Sequence, residues 1–278
     1  MTKEDLKRVH EIDTELLLEL DRICKENSIR YFLFYGTLIG AIRHSGPIPW
    51  DDDVDVCMLR PDYLRFIEAC KNSLSDKFVL KIMGSSSGEL ISELKIGKKD
   101  TVFCLPGFEN LDIMNMVQLD VFCMDNIKDM TPRCFKMKNR IWEFLRLTKL
   151  NWAEKKLLMS SFRMNRNKAR FIYDFVLLIM HCLRLLLGEK NIERIGLRMF
   201  IDETGQSTMM NVIGTVDLFR KDQFEDIILH HYDGYSLPVP AKYDELLQII
   251  YGDYLTYPPE NKRYRKQFDR WVFKERLS

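Results

Sequence analysis

The sequence predicts an α/β protein of the α+β type, in which helices and short strands alternate and a basic helical segment is added. Apolar residues recur every three or four positions over the first 26 residues, and strand-length apolar runs follow up to residue 124. From Thr131 the apolar spacing becomes helical. With 278 residues and 46% hydrophobic content, the chain can bury a substantial core.

The first predicted helix covers residues 3–26 and carries a continuous apolar stripe. Thr2 and Asp5 have the spacing of a capping box at its start. An apolar run at 29–35 predicts the first strand, which Gly36 ends.

The Gly36-Thr37 pair marks a turn after this strand, and Thr37 is a candidate N-cap for a short helix over 38–44. The Gly46-Pro47 pair marks the end of that helix. A strand that turns into a helix N-terminus places backbone N–H groups where a phosphate can bind. A purely structural turn is the alternative.

An acidic cluster follows this turn and contains Asp51, Asp52, Asp53 and Asp55. If residues 53–58 form a strand, Asp53 and Asp55 lie on one face, while Val54, Val56 and Met58 face the core. Two such carboxylates can hold a hard divalent cation, Mg²⁺ in particular. We assign Asp51 and Asp52 to the turn that Pro49 and Trp50 build.

Two other interpretations of the acidic cluster were considered. A calcium loop starting at Asp51 requires Gly at its sixth position and Glu at its twelfth, but the chain has Val56 and Asp62 there. A solvated acidic turn is the second alternative, although alternating Asp within a β-branched run is poor strand chemistry without a ligand.

A helix that opens at Pro61 and further strands at 78–83, 90–96, 101–105 and 117–124 complete the first part of the chain. Leu64, Ile67 and Ala69-Cys70 are expected on the buried side of the helix. The last apolar run carries Asp120, and a carboxylate within a buried strand is costly unless it is paired or bound to metal. Asp120 is therefore the predicted third metal ligand.

The segment 131–200 contains sixteen Lys or Arg and five acidic residues, a net charge of +11 in a chain whose total is +1. This asymmetry predicts an anionic partner, such as a membrane surface or a polyanion. Its apolar run 171–187 is short for a membrane span and carries three ionisable residues. A buried helix and an interfacial helix both remain open for this run.

The C-terminal part predicts a helix over 242–251 with Gly252 as its C-cap. Around and after it lie three tyrosines and three basic residues that could line an anion-binding pocket: Tyr251, Tyr254, Tyr257, Lys262, Arg263 and Arg265. A surface tail packed by its aromatic side chains explains the same pattern.

The seven cysteines are odd in number and show no metal-binding spacing, which indicates free thiols in a reducing compartment. The N-terminal residues are charged from Lys3 and lack the apolar core of a signal peptide. We therefore expect a cytoplasmic protein, with peripheral contact to the inner membrane face through residues 131–200.

Several stretches resemble the LicD family of phosphotransferases, which includes bacterial phosphorylcholine transferases and is related to fukutin and fukutin-related protein. The main one is FLFYGTLIGAIRHSGPIPWDDDVDVCMLRPDY. The others are LKIGKKDT, which contains Lys95, QLDVF, which contains Asp120, and VPAKYDELLQIIYGDYLTYPP. Pro47 departs from the pattern, since many relatives have an aromatic residue there.

The resemblance implies a nucleotidyltransferase-like mixed β-sheet flanked by helices. It implies that the Gly36-Thr37 turn holds phosphates and that Asp53, Asp55 and Asp120 bind Mg²⁺ or Mn²⁺. The implied reaction transfers a phosphorylated alcohol, most typically phosphocholine, from a CDP-activated donor such as CDP-choline to a hydroxyl of a glycan or teichoic-acid precursor. CMP is released.

Four further residues are candidates for binding the substrate. Lys95 and Arg43 could contact phosphate oxygens, with His44 as a weaker candidate. For Arg43 and His44 the alternative is capping of the short helix through its C-terminal carbonyls. Trp50 could stack on the cytosine or on the cationic head group, or it could pack in the core.

We divide the chain into a nucleotidyltransferase-like catalytic core (1–130), a basic helical insertion (131–205) and a C-terminal part that completes the core and substrate site (206–278). Two rival functions remain: transfer of the nucleoside monophosphate itself to a sugar or small acceptor, and a non-catalytic membrane- or polymer-binding module. The expected acceptor is a glycan or a lipid-linked polymer, and no nucleic-acid partner is expected.

Overall fold

A computed structural model of the protein describes residues 2–84, 91–104, 115–149, 178–179, 182–183, 185–263 and 272–275. The helices are α1 (Lys3–Glu26), α2 (Tyr35–Ile39), α3 (Arg60–Ser73), α4 (Pro132–Lys149), α5 (Glu189–Phe200) and α6 (Tyr243–Tyr251). A π-helical turn spans Gly40–His44, and 3-10 turns span Lys221–Phe224 and Glu260–Lys262. The strands are β1 (Phe32–Leu33), β2 (Val54–Leu59), β3 (Phe78–Gly84), β4 (Ile91–Lys98), β5 (Thr101–Cys104), β6 (Gln118–Ile127), β7 (Met209–Asn211), β8 (Phe219–Arg220), β9 (Ile227–Tyr232), β10 (Tyr235–Pro240) and β11 (Val272–Glu275).

The main sheet is mixed, and β6 lies near its centre. Five strands follow the order β1-β2-β6-β4-β3, while β7 pairs with β6 and β8 with β7. Strands β2 and β6 are parallel, and their neighbours pair in the antiparallel direction. Two further antiparallel pairs, β9 with β10 and β5 with β11, lie outside this sheet. The predicted α/β class is confirmed.

Helix α1 has the bounds that its apolar stripe predicts, and the capping box at its N-terminus is present. The Thr2 hydroxyl accepts a hydrogen bond from the Asp5 N–H, and the Asp5 carboxylate accepts one from the Thr2 N–H. The stripe packs with α3 and one face of the main sheet in the largest apolar cluster, to which β2 contributes Val54, Val56 and Met58. These three residues face the core as predicted.

The region after the first strand differs from the prediction. Strand β1 is only two residues long, because Tyr35 adopts a positive φ of 39° and turns the chain directly into α2. The predicted N-cap at Thr37 is therefore wrong, since Thr37 lies inside α2 and Phe34 precedes that helix. The predicted helix over 38–44 is instead the end of α2 followed by the π-helical turn.

Other differences are smaller. Strand β2 begins at Val54, so Asp53 precedes it. Leu64 on α3 is 45% exposed, which contradicts its predicted burial, because Tyr63, Phe66, Ile67 and Cys70 form the buried face of that helix. Of the apolar run 171–187, the structure describes residues 178–179, 182–183 and 185–187, and the rest lies outside the described residues.

The basic segment contributes α4 and α5, which pack together on an apolar cluster of their own. Its buried members are Ile127, Phe135, Trp142, Ile192, Phe200 and Ile213. Trp142 lies so close to Gly196 that a methyl group on that glycine would clash with its ring. Within the described ranges, the helices lack the combination of length and apolarity that a bilayer crossing requires.

Candidate functional site

Asp55 and Asp120 are direct neighbours in the sheet. The parallel register of β2 and β6 pairs residue 55 with residue 120. Paired residues of adjacent strands point to the same face, with backbones about 5 Å apart. The register therefore places these two carboxylates next to each other.

Lys95 lies on the other side of Asp120. The antiparallel register of β4 and β6 pairs the two residues, and Lys95 Nζ donates hydrogen bonds to Asp120 Oδ1 and Oδ2 at 2.7 and 2.8 Å. Lys81 of β3 is paired with Lys95 in turn. One row across four strands thus reads acid, acid, base, base, with Asp55 at one end and Lys81 at the other.

The loop before β2 contributes three more carboxylates. Ligand oxygens of Asp51, Asp52 and Asp53 all lie within 4.8 Å of one another. Asp52 is buried, whereas Asp51 and Asp53 are partly exposed. The structure therefore groups Asp51 and Asp52 with Asp53, although sequence reasoning assigned the first two to a turn only.

Gly36 leaves space for one of these carboxylates. A methyl group on residue 36 would lie 2.6 Å from Asp51 Oδ2, closer than real side chains approach. Thr37 is buried beside it, and its hydroxyl accepts a hydrogen bond of 2.7 Å from the Asp55 N–H. In the structure, the Gly36-Thr37 pair therefore positions the acidic residues of the loop and of β2.

Concentrated negative charge dominates the electrostatics of the site. The pKa of Asp55 lies well above its ordinary value, first because the carboxyl is buried and then because Asp53, Asp120 and Asp51 repel its charge. The Lys95 ammonium opposes this shift. The carboxylates would be stabilised by a bound cation.

Helix α1 contributes two residues to the site that sequence reasoning missed. The ring of His10 contacts the backbone of the acidic loop, and its Nε2 atom lies 2.7 Å from the Asp51 carbonyl oxygen. A carbonyl only accepts, so Nε2 carries the proton and donates it. Burial lowers the pKa of His10.

Asp13 is the second of these residues. It is only 3% exposed, and Oδ1 accepts no hydrogen bond from any residue that the structure describes. Burial raises the pKa of Asp13 well above its ordinary value, and the charges of Asp53, Asp52 and Asp51 raise it further. Asp13 could have been recognised from the sequence, because it is a carboxylate on the apolar stripe of a predicted helix.

The remaining predicted residues form a separate group beside the loop. The Arg43 guanidinium donates to the Tyr254 carbonyl oxygen at 2.6 Å and, through Nε, to His44 Nε2 at 3.0 Å. These contacts differ from the alternative for Arg43, in which it caps the short helix through the C-terminal carbonyls of that helix. The His44 and Trp50 rings meet edge to face, with centroids 5.7 Å apart.

The chemistry of the acidic residues suits a hard divalent cation, and the carboxylates whose oxygens lie within 4.8 Å of one another are those of Asp51, Asp52 and Asp53. Asp55 and Asp120 lie side by side, Asp53 precedes β2, and all three provide the oxygen ligands that Mg²⁺ and Mn²⁺ prefer. The raised pKa of Asp55 shows that its negative charge lacks full compensation. Lys95 already holds Asp120, so a cation at this carboxylate would share it with the ammonium.

Comparisons with known proteins find a family model in the first part of the chain and a relative that spans nearly all of it. The family model "LicD/FKTN/FKRP, nucleotidyltransferase domain" matches residues 28–96, which include the acidic loop, β2 and Lys95. The chain is 25% identical over 276 residues to the lipopolysaccharide cholinephosphotransferase LicD of Haemophilus influenzae, and the match covers 94% of this chain and 95% of that protein.

Two shorter matches cover a smaller part of the chain. An uncharacterised protein of Rickettsia typhi is 38% identical over 52 residues, 19% of this chain and 17% of that protein. An uncharacterised protein of Rickettsia prowazekii is 40% identical over 48 residues, 17% of this chain and 18% of that protein. The domain match over residues 28–96 and the similarity to a cholinephosphotransferase over nearly the whole chain support a LicD-type phosphotransferase.

Proposed function

We propose that the protein transfers phosphocholine from CDP-choline to a hydroxyl group of a cell-surface glycan or of its lipid-linked or teichoic-acid precursor. The observation that carries this proposal is the paired register of Asp55 and Asp120, with Lys95 bonded to the second carboxylate. Catalysis of phosphoryl transfer depends mainly on positive charge held in the right position. An acidic site supplies this charge by binding a divalent cation. The cholinephosphotransferase relative supports the head group and the glycan acceptor.

Asp53, Asp55 and Asp120 would hold Mg²⁺ or Mn²⁺. When bound, the cation would neutralise negative charge on the donor diphosphate and on the CMP leaving group. The residues of the chain then have two tasks. Lys95 keeps Asp120 in position through two hydrogen bonds, and Thr37 fixes the start of β2 by accepting from the Asp55 N–H.

The reaction exchanges one phosphorus–oxygen bond for another. The acceptor hydroxyl oxygen attacks the phosphorus atom of phosphocholine, and the bond from that phosphorus to the CMP oxygen breaks. One of the site carboxylates takes the proton of the acceptor hydroxyl. The products are the phosphocholine-modified glycan and CMP.

Release of CMP from CDP-choline in the presence of Mg²⁺ tests the proposal. Asp53→Asn and Asp55→Asn are each expected to lower turnover by orders of magnitude while the protein stays folded, and Asp76→Asn, an exposed change on the loop before β3, is the matched control. Full activity of either site variant would contradict the assignment. Release of diphosphate from CTP in place of CMP from CDP-choline would favour nucleotidyl transfer.

Other CDP-alcohols distinguish the head group. CDP-ethanolamine, CDP-glycerol and CDP-ribitol carry the same nucleotide and diphosphate as CDP-choline, so a comparison of the four measures head-group recognition. The proposal expects the highest kcat/KM with CDP-choline. A higher kcat/KM with CDP-glycerol or CDP-ribitol would indicate that the transferred group is a phosphopolyol and not phosphocholine.

We also propose that the basic segment contacts the inner membrane face, where a lipid-linked acceptor would lie. Helix α4 exposes Met137, Ile141 and Phe144 at helical spacing, and the same helix carries the exposed cations Arg133, Lys136 and Arg140. Co-sedimentation with vesicles that contain anionic lipid should fall when Ile141 and Phe144 are replaced by serine. Equal binding of the double variant would contradict this contact.

A further inference from the structure

Five side chains beside the acidic loop form a compact group that we call the arginine–aromatic cluster: Arg43, His44, Trp50, Tyr257 and Arg263. We propose that this cluster binds a phosphate group of a substrate and that it does not bind the quaternary ammonium of choline. The inference rests on the proposed function and specifies which part of the substrate lies against Trp50.

Three aromatic rings form the framework of the cluster. The centroids of His44 and Tyr257 are 5.4 Å apart, and those of Trp50 and Tyr257 are 5.9 Å apart. These distances lie in the range of favourable aromatic contacts. The rings join the π-helical turn and the acidic loop to the segment that follows α6.

Two guanidinium groups lie over the rings. The Arg43 guanidinium carbon is 4.7 Å from the centroid of Tyr257, and that of Arg263 is 5.1 Å from Trp50 and 5.8 Å from Tyr257. All three distances fall within the limit of a cation–π contact. Each guanidinium is therefore held in a fixed orientation by an aromatic face.

The bonding partners of these two arginines leave most of their charge available. Arg43 donates to a backbone carbonyl and to His44, and Arg263 Nε donates to the Pro258 carbonyl oxygen at 2.9 Å. Among the residues that the structure describes, the carboxylate that pairs with Arg263 is that of Glu260, 4.0 Å away on a side chain that is 91% exposed. Two cations held together in this way attract an anion.

His44 adds a hydrogen-bond donor to the cluster. Its Nε2 atom accepts from Arg43 Nε, so the proton of the neutral ring lies on Nδ1. Burial, and then the charge of Arg43, lower the pKa of His44 and keep the ring neutral. The cluster thus combines two planar cations with one neutral N–H donor, which suits phosphate oxygens.

A quaternary ammonium does not suit the same place. Such cations bind to open aromatic faces, and here guanidinium groups already cover the Trp50 and Tyr257 rings. A third positive charge would be repelled by both arginines. The structure therefore favours an anion at Trp50 and places the choline head group elsewhere in the site.

The test is isothermal titration of the metal-free protein with inorganic pyrophosphate and, separately, with CMP. Arg43→Gln and Arg263→Gln are each expected to weaken pyrophosphate binding by about tenfold and to flatten its dependence on salt. Arg30→Gln is the matched control, because Arg30 also donates to backbone carbonyl groups, those of Phe224 and Glu225. Equal affinities of the wild type and both cluster variants would overturn the inference.

A second variant separates charge from folding. Arg263→Lys keeps the positive charge, so it is expected to bind pyrophosphate more tightly than Arg263→Gln, and equal affinity of these two variants would overturn the inference. A parallel loss of CMP affinity assigns the bound phosphate to the donor, and an unchanged CMP affinity with weaker pyrophosphate binding assigns it to the acceptor. Either result supports a phosphate site.

Choline chloride provides the opposing probe. Binding of choline that weakens in Trp50→Leu would overturn the inference, whereas choline binding that is unchanged in this variant supports it. Turnover of CDP-choline by the wild type is measured separately. Absence of turnover would contradict the proposed function. The pyrophosphate titration would still show whether the arginine–aromatic cluster binds phosphate.

Discussion

Asp55 and Asp120 are paired in register on the adjacent parallel strands β2 and β6, and the Thr37 hydroxyl accepts a hydrogen bond from the Asp55 N–H. The pair forms because two strands that are distant in the sequence are adjacent in the sheet. It explains why the site lies in the sheet and does not consist of the acidic loop alone.

Replacement of Asp55 by Asn is expected to stabilise the metal-free protein. The carboxyl of Asp55 is destabilised in its charged form by burial and by the charges of Asp53, Asp120 and Asp51, which raise its pKa. Differential scanning fluorimetry in EDTA at pH 8 should give a higher Tm for Asp55→Asn than for the wild type. The increase in Tm that Mg²⁺ gives to the wild type should shrink in this variant, and a lower Tm in EDTA would contradict the prediction.

Replacement of Lys95 by Met is expected to lower the free energy of unfolding by about 2 kcal/mol, because two hydrogen bonds to a carboxylate are lost and Asp120 stays charged. Urea denaturation measures the change. Lys98→Met on the same strand is the control: its partner Glu15 is 42% exposed, so the expected loss is below about 1 kcal/mol. The double change of Lys95 and Asp120 should lose less than the two single changes together.

Gly36→Ala tests the space reserved for Asp51. Alanine within a helix normally stabilises by about 1 kcal/mol relative to glycine. Here the added methyl group would lie 2.6 Å from Asp51 Oδ2, so the carboxylate must move. We expect turnover to fall by about a hundredfold. Thermal unfolding should show a loss of stability that Asp51→Ala restores, and a single variant as active as the wild type would contradict the geometry.

The buried imidazole of His10 should make stability depend on pH. Its pKa is lowered from 6.5 in the folded protein, so the unfolded chain binds a proton more readily. Its contribution to stability is complete above pH 6.5 and is lost as the pH falls from 6.5 through the lower pKa of the folded protein. Urea denaturation between pH 5 and 7.5 should therefore show a flatter pH dependence for His10→Gln than for the wild type.

Local patterns predicted the regular elements well. Helix α1 and its capping box follow from apolar spacing and end chemistry, and Gly252 ends α6 with a φ of 68° that favours glycine. The region from Tyr35 to His44 was predicted poorly. A positive φ at a tyrosine and a π-helical turn depend on packing against distant residues, which local propensity does not describe.

The acidic residues of the site were found in the sequence because carboxylates in apolar runs are conspicuous. Their exact neighbours were not, because register is a property of the folded sheet. Sequence reasoning proposed Lys95 as a phosphate contact, while the structure bonds it to Asp120. His10 and Asp13 were not predicted as site residues. They lie on α1, which is separate from the acidic loop in the sequence and approaches it only in the folded protein.

The parallel pairing of β2 with β6 also affects how the protein folds. Parallel strands cannot be joined by a tight hairpin, and here α3 and strands β3 to β5 lie between them in the sequence. A nascent chain that ends before β6 therefore contains the acidic loop but not the neighbouring Asp120. A cation that requires both strands binds only the folded protein, so it should stabilise the whole fold against unfolding. Addition of Mg²⁺ should therefore slow hydrogen exchange in β2 and β6 together.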